Sequence, residues 1–453
     1  MAAVAVMLKQ QGFQISGSDH LVYPPMSTFL KSHGIDAKTG YKSSNLRVRP
    51  DYIVIGNALS RGNPEIEYTL NHKYAYLSLP ELVRHFCIKD RHSIVISGTH
   101  GKTTTSALTA WMLECAGKSP GFLIGGIPLN FEQGARLGRG KFFVVEGDEY
   151  DTVFFDKRSK FLHYAPDSLI INNIEFDHGD IFESIDDIRL SFQRLINLVP
   201  SQGNIFYNQD DPQIRLIIDK AFCPTISFGF SVGSLWTGKN LVYRNGGMQF
   251  DVLYKRKKEL TVKISLAGRH NIYNLLGVTA LGRTLGIPAL KIKDAWASFQ
   301  GIKRRLEIRG EVGGIKVIDD FAHHPTAIRE TLKAAKALYR PKRLWAVVEP
   351  RSSTLRSSIF QNILPQAFGA ADRVILTDVY NKYKLRARHR LNPVRVIRNL
   401  CDRKKQAFFI PTSAEVAEFL GKEVQDGDVI VCMSNGGFDH IHDKILYILR
   451  ERM

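Results

Sequence analysis

Thr99-His100-Gly101-Lys102-Thr103-Thr104, behind Ser97-Gly98, gathers the residue types that handle a polyphosphate. A glycine turn points backbone N–H groups at phosphate oxygens, and a helix opening there adds roughly half a positive charge. Lys102 can reach the outer phosphates, and the Thr103 hydroxyl can hold Mg²⁺. The spacing departs from the usual G-x-x-x-x-G-K-[ST] loop, since two residues separate Gly98 from Gly101. A chance Gly-Lys-Thr turn is the alternative. Against it stands the order of elements: strand-like Ser93-Ile94-Val95-Ile96 before, and a helical pattern Ala107-Leu108-Ala110-Trp111-Leu113 after.

Two more groups follow apolar runs. Val145-Glu146-Gly147-Asp148-Glu149-Tyr150-Asp151 places acids at a strand end, where a carboxylate near a phosphate loop suits a hard, oxygen-seeking cation. A solvated acidic loop is the plainer reading. Asn172-Asn173-Ile174-Glu175-Phe176-Asp177-His178 ends a third strand. A lone histidine is usually structural; at this strand end His178 could reach a metal or a transferring phosphate.

The elements that must carry these groups read as α/β. A chain of 453 residues is too long for one core, and about three domains is the prior. We expect regions 1–88, 91–302 and 303–453, the first as a doubly wound sheet. Strands are expected at 142–146, 169–172, 204–207, 315–318, 344–348, 373–376 and 429–433, with helices near Asn271, after Pro325 and at the end. Asn245-Gly246-Gly247 signals a hairpin turn. No run of ~18 apolar residues could span a membrane. Cys87, Cys115, Cys223, Cys401 and Cys432 are scattered without a C-x-x-C, which argues against a zinc site or disulfide framework and fits a reducing, cytoplasmic setting. The net charge of +18 favours anionic partners. Lys255-Arg256-Lys257-Lys258 reads as a solvated hairpin tip and 382–390 as an exposed loop. No aromatic-plus-basic module accompanies them, so nucleic acid is not expected.

The three signals together resemble the Mur ligase family, which builds peptidoglycan precursors. Gly268-Arg269-His270-Asn271-Ile272-Tyr273-Asn274 resembles its adenine-side G-x-H-N-x-x-N element. Gly301-Ile302-Lys303-Arg304-Arg305 resembles its domain-junction arginine motif. Asp319-Asp320-Phe321-Ala322-His323-His324-Pro325-Thr326 resembles the D-D-Y-x-H-H-P-T motif of the branch acting on UDP-N-acetylmuramate itself. The resemblance runs the length of the chain. It implies a Rossmann-like N-terminal domain, a central P-loop ATP-binding domain and a C-terminal Rossmann-like domain. Met1-Ala2-Ala3 falls just after the family's opening strand and Gly-rich loop, so the first domain reads as lacking both.

The family mechanism implied is ATP-dependent formation of an acyl phosphate, then attack by an amine. Within the branch, one enzyme adds L-alanine and another the recycled tripeptide L-alanyl-γ-D-glutamyl-meso-diaminopimelate. Residues 150–161, Glu349-Pro350-Arg351-Ser352 and Met433-Ser434-Asn435-Gly436-Gly437-Phe438 resemble the second. The acidic motif, Glu146 to Asp151, departs from the E-A-D-E-S-D of the first. No lysine lies between Lys160 and Lys220, so the carbamylated lysine of other branches has no counterpart there.

The roles implied are these. Lys102, Glu146, His178 and Arg305 are catalytic; Thr103, Glu146 and His178 hold Mg²⁺; Gly98, Thr99, His100, Gly101, Lys102, Thr103 and Thr104 cradle ATP phosphates. His270 and Asn274 hold adenine, with a helix-start cap as the alternative; Asp320 holds ribose beside His323, and Arg305 contacts phosphate. Ser18, Asp19, Asn57 and Ala58 face the uridine nucleotide, and Gly125, Gly126, Arg351 and Asn435 other parts of the substrates, with Lys157 near the peptide carboxylates. A non-catalytic nucleotide-dependent binding protein is the reading of another class, against which the intact Lys102, Glu146 and His178 count.

Overall fold

The strand-like run before the phosphate loop becomes the centre of a sheet. The computed structural model describes residues 1–452 apart from Pro25, Asn245 and Leu385, and for Lys384 and Ala387 the backbone alone. It divides into two compact units: residues 1–175, 185–237 and 276–295, and residues 176–184, 238–275 and 296–453.

In the first unit, His92–Ser97 runs parallel between Ser168–Ile171 and Phe142–Gly147. Asn204–Asn208 and Thr225–Phe228 extend the sheet on one side and Gly121–Leu123 on the other. Central strands covered on both faces read as unbroken apolar runs, and Ile94, Val95 and Ile96 are fully buried. Register matters most for function. Ser97 stands opposite both Ile171 and Gly147, so the phosphate loop, the acidic motif and the Asn172 segment leave the sheet level with one another. The helix Lys102–Cys115 follows, buried along most of its length.

Residues 1–88 do not form the doubly wound sheet expected from their alternation. Among the described residues they hold helices Ala2–Gln10, Met26–Ser32, Pro64–Asn71 and Leu79–Val83 and two separate parallel pairs: Gly17–Asp19 with Ala37–Thr39, and Ile53–Ile55 with Tyr76–Ser78. Each strand is three residues long. Gly17–Asp19 and Ala37–Thr39 carry mostly polar, exposed side chains and offer no apolar face on which a wider sheet could pack.

In the second unit a six-stranded sheet runs in the order Glu307–Val312, Ile315–Asp320, Val429–Met433, Leu344–Val348, Arg373–Leu376, Gln406–Phe409. The first pair is antiparallel and the rest are parallel. Side chains alternate between faces at period two. Leu344, Ala346 and Val348 pack with helices Pro325–Tyr339 and Pro393–Asp402, while Trp345 and Val347 pack with Ser413–Glu423 and Ile441–Arg452. Helices thus cover both faces. Met433 stands level with Val348 and Asp320, so the segments beginning at Phe321, Glu349 and Ser434 emerge at one edge. Strands Gly247–Tyr254 and Lys257–Ile264 form an antiparallel ladder whose tip, Lys255-Arg256, takes positive φ at both residues. Of the expected Asn245-Gly246-Gly247 turn, Asn245 lies outside the described residues. No helix among the described residues is long and apolar enough to cross a membrane.

Candidate active site

Gly98 has φ +134°, and a Cβ there would lie 3.1 Å from Asn172 Cβ and from the Asn173 backbone, so a side chain at this position would be strained and crowded. Gly101, at φ +81°, caps the helix that Lys102 begins. Two loop amides are already engaged. Thr99 N donates to Asn173 O at 3.0 Å, and His100 N to Asn173 Oδ1 at 2.8 Å. Both amides are thus paired within the chain, while those of the helix's first turn, from Lys102 through Thr104, have no intrahelical partner. His100 Nε2 lies 3.5 Å from Glu175 Oε2.

The acidic motif is a row of carboxylates, each met by a donor. Glu146 accepts from Thr103 Oγ1 at 3.3 Å and from Gly125 N at 2.8 Å, with Gly126 next along that turn. Asp148 pairs with Lys160 at 2.9 Å, and Asp151 with Lys157 at 2.7 Å and Asn57 at 3.4 Å. Glu149, 1% exposed, holds Lys102 Nζ at 2.5 Å. Burial alone would lower the Lys102 pKa; Glu149, Asp148 and Glu146 outweigh it and raise it, so the ammonium is kept charged. Sequence reasoning gave Glu149 no role, although its place three residues beyond Glu146 was the available signal.

Elsewhere in this unit, Ser18 donates to Glu65 at 2.6 Å, and Asp19 accepts from His20 N and from Tyr41. Asn57 and Ala58 follow the strand Ile53–Ile55. Lys157 reaches Asp151 of its own unit.

In the second unit, His178 has φ +54° next to Asp177, which accepts from Thr354 Oγ1 at 2.6 Å. Neighbouring histidines, His178 foremost, hold the Asp177 carboxyl well below the usual range against the opposing effect of burial. His270 and Asn274 lie in the first turns of Arg269–Thr284. Asn274 Nδ2 donates to Asn271 Oδ1, and Asn271 Nδ2 to Ala267 O, so Asn274 belongs to a helix-start network.

The arginine motif folds onto the strand end at Asp319-Asp320. Arg304 donates to Asp319 Oδ2 and to the carbonyls of Ser434 and Gly436, the latter two at 2.7 Å. Arg304 and Arg305 both lie over the Phe321 ring. Asp320, the residue expected at ribose, is engaged within its own unit. It is 4% exposed and spends its oxygens on Leu306 N, Ala322 N and Thr331 Oγ1, which leaves it as a fastener of the arginine turn. His323 Nδ1 sits 2.8 Å from Phe321 O.

At the neighbouring strand end, Arg351 lies over the Tyr380 ring, its Cζ 3.8 Å from the centroid. Gly436 is also close, and a Cβ there would fall 2.0 Å from Arg351 Nε. Glu349 accepts from Ser434 Oγ at 2.6 Å and lies 3.5 Å from Arg351, and Asn435 follows in the same turn. Tyr380, Gly436 and Glu349 were not singled out from the sequence as partners of Arg351.

Three stretches of the chain match models of known families. Residues 1–91 match the Mur ligase family catalytic domain, 96–282 the Mur ligase middle domain, and 304–436 the Mur ligase glutamate ligase domain. The chain belongs to the Mur ligase family, with its three-domain α/β architecture, and is an ATP-dependent ligase. It is 41% identical to the UDP-N-acetylmuramate–L-alanyl-γ-D-glutamyl-meso-2,6-diaminoheptandioate ligase of Escherichia coli, over 98% of this chain and 95% of that one. The Haemophilus influenzae enzyme of the same name is 38% identical over 98% of this chain and 96% of its own. A murein peptide ligase from Psychrobacter arcticus superposes with a TM-score of 0.73 at 36% identity, covering 99% of this chain and 96% of its own.

Proposed function

We propose that this chain joins L-alanyl-γ-D-glutamyl-meso-diaminopimelate to UDP-N-acetylmuramate in peptidoglycan recycling, with conversion of ATP to ADP and phosphate. The observation that carries the reading is the identity of 41% and 38%, over nearly the whole chain, to two ligases named for that reaction. Ligases named for L-alanine match at 30% over comparable lengths.

The lactyl carboxylate of UDP-N-acetylmuramate takes the γ-phosphoryl group of ATP, and the peptide amine then displaces phosphate to form the amide. Such a transfer needs alignment and charge neutralisation rather than an enzyme nucleophile. Lys102 and the first-turn amides of its helix stabilise the moving phosphoryl group. The hydroxyl of Thr103 and carboxylate of Glu146, 3.3 Å apart at a strand end, are the hard oxygen pair that suits Mg²⁺, and we assign both to it with His178. When bound, the ion would neutralise charge on the transferring phosphoryl oxygens. We assign His270 and Asn274 to adenine, His323 to the nucleoside side and Arg305 to phosphate, and Asp320 to holding the arginine turn. Ser18, Asp19, Asn57, Ala58, Gly125 and Gly126 serve the UDP-sugar. Arg351 and Asn435 serve the peptide: a guanidinium held against a ring offers a two-pronged edge to a carboxylate. We divide the domains at 1–88, 91–302 and 303–453, and place the reaction in the bacterial cytoplasm, in keeping with five free cysteines.

The test is a competition in which the tripeptide and L-alanine are supplied at equal concentration with UDP-N-acetylmuramate and ATP, and products are resolved by mass. The tripeptide product is expected to predominate. A predominant mono-alanyl product moves the chain to the alanine-adding reaction.

A further inference from the structure

An ammonium has three N–H donors. Lys102 has all three spoken for, by Glu149 Oε2 at 2.5 Å, Gly98 O at 2.8 Å and Thr99 O at 3.4 Å. A phosphate oxygen can reach Nζ only by displacing one of them. The two carbonyls are fixed in place. Gly98 is wedged against Asn172 and Asn173, and Thr99 is tied at its amide to Asn173 O and at its hydroxyl to Glu175 N. Glu149 is the partner that can leave. It is a side chain, and it carries the charge an incoming anion repels.

That repulsion is not small. Glu146, Asp148 and Glu149 all act electrostatically on Lys102. Bare ATP would bring further negative charge to three carboxylates around one ammonium, in a site where screening by water is weak. Thr103 and Glu146 would hold a divalent cation, which would supply the charge that offsets this repulsion.

We propose that Glu149 is a positioning residue that latches the phosphate-loop lysine, so that the loop accepts the metal complex of a nucleoside triphosphate and turns away the metal-free form. The inference rests on the reading that Lys102 meets the ATP phosphates. It assigns to Glu149 not contact with substrate but control over when Lys102 is available.

The experiment is calorimetric titration of the full chain with ATP, once in EDTA and once in saturating Mg²⁺. Wild type is compared with Glu149→Gln, Glu149→Asp, Lys102→Ala and the Lys102→Ala/Glu149→Gln double variant. Removing a charge-assisted contact that competes with the ligand is expected to tighten metal-free ATP by on the order of 10–100-fold in Glu149→Gln. The Mg²⁺ complex should tighten by less. Glu149→Asp keeps the charge but withdraws it by one methylene, and should move the same way to a smaller extent; it is the second variant should Glu149→Gln melt without cooperativity. The double variant should lose the gain, because the lysine is what was released. A structural defect weakens binding, so tightening cannot come from damage. Unchanged or weaker metal-free binding in both Glu149 variants, or equal tightening with and without Mg²⁺, overturns the latch. If Lys102→Ala binds ATP as wild type does under both conditions, the phosphate reading of Lys102 fails instead.

Discussion

The phosphate loop and the arginine cluster of the C-terminal sheet both sit at the ends of parallel strands, yet they hold their cations in opposite ways. Lys102 is held by a buried carboxylate from a neighbouring strand end and by its own loop. Arg304 and Arg351 are held by backbone carbonyls and aromatic rings, with carboxylates at their edges. A lysine is a compact charge on a flexible stem and can be handed from one anion to another; a guanidinium is a planar fork whose value lies in a fixed orientation. The first arrangement suits a cation that exchanges its partner, and the second a cation whose orientation is fixed.

Lys102→Ala makes the sharpest cut. Loss of a group poised where charge develops commonly costs ~10²–10³ in rate, so kcat should fall by that order in a coupled assay of ADP release. The variant also leaves Glu149 buried without its ammonium, so its Tm should drop. Lys102→Ala/Glu149→Gln should recover the Tm and not the rate. Recovery of both would erase the distinction between an exchanging ion pair and a structural one. Glu146→Ala should lose rate similarly and regain part of it as Mg²⁺ is raised, which a merely structural Glu146 would not do.

In the arginine cluster the corresponding lever is pH. Burial first, then Arg309 and Arg304, push the His442 pKa down to about 4, against the pull of Asp443 and Glu307. The unfolded chain, with histidine near 6.5, binds more protons between those values, so stability falls as pH drops from about 6.5 toward 4, by roughly 3 kcal/mol at most. Asp319, 3.5 Å from His442 and with its own pKa raised by burial, offsets part of the loss at the acid end. Chemical denaturation at pH 7 and pH 5 should show this slope, and His442→Gln should flatten part of it, since burial also lowers the pKa of His92 and His163. An unchanged slope would show that the cluster's ion network is not what ties it to pH.

Gly436→Ala places a Cβ against the Arg351 guanidinium and must tilt it off Tyr380. The KM for the tripeptide should rise about tenfold, as for one charge-assisted contact, while the KM for ATP holds. A shift in the ATP KM alone would break the division of labour between the two regions. Tyr380→Leu is the mildest change. It removes a cation–π contact worth about 0.5–2 kcal/mol, so a several-fold rise in peptide KM is expected, with Tyr380→Phe close to wild type.

Much of this site was legible in the amino-acid order. Unbroken apolar runs such as Ile94 to Ile96 marked covered central strands, and Gly-Lys-Thr marked a turn between a strand and a helix, because both signals are local. The same periodicity marked the C-terminal strands and their helices. What the order could not reach was the choice of partner. The alternation in residues 1–88 promised one sheet, but Gly17–Asp19 and Ala37–Thr39 are short and mostly polar and lack the apolar face that would join them to Ile53–Ile55 and Tyr76–Ser78. Thr99 and His100 carry the right loop amides, yet only the packing of Asn173 shows that these are already taken. Asp320 is turned inward by Leu306 and Ala322, and Arg351 lies against Tyr380 and Gly436, 29 and 85 positions along the chain. The sequence alone determined which charged groups stand at strand ends. Register and packing decided which of them face one another, because a hydrogen bond or ion pair is set by distances of a few ångströms that sequence spacing does not encode.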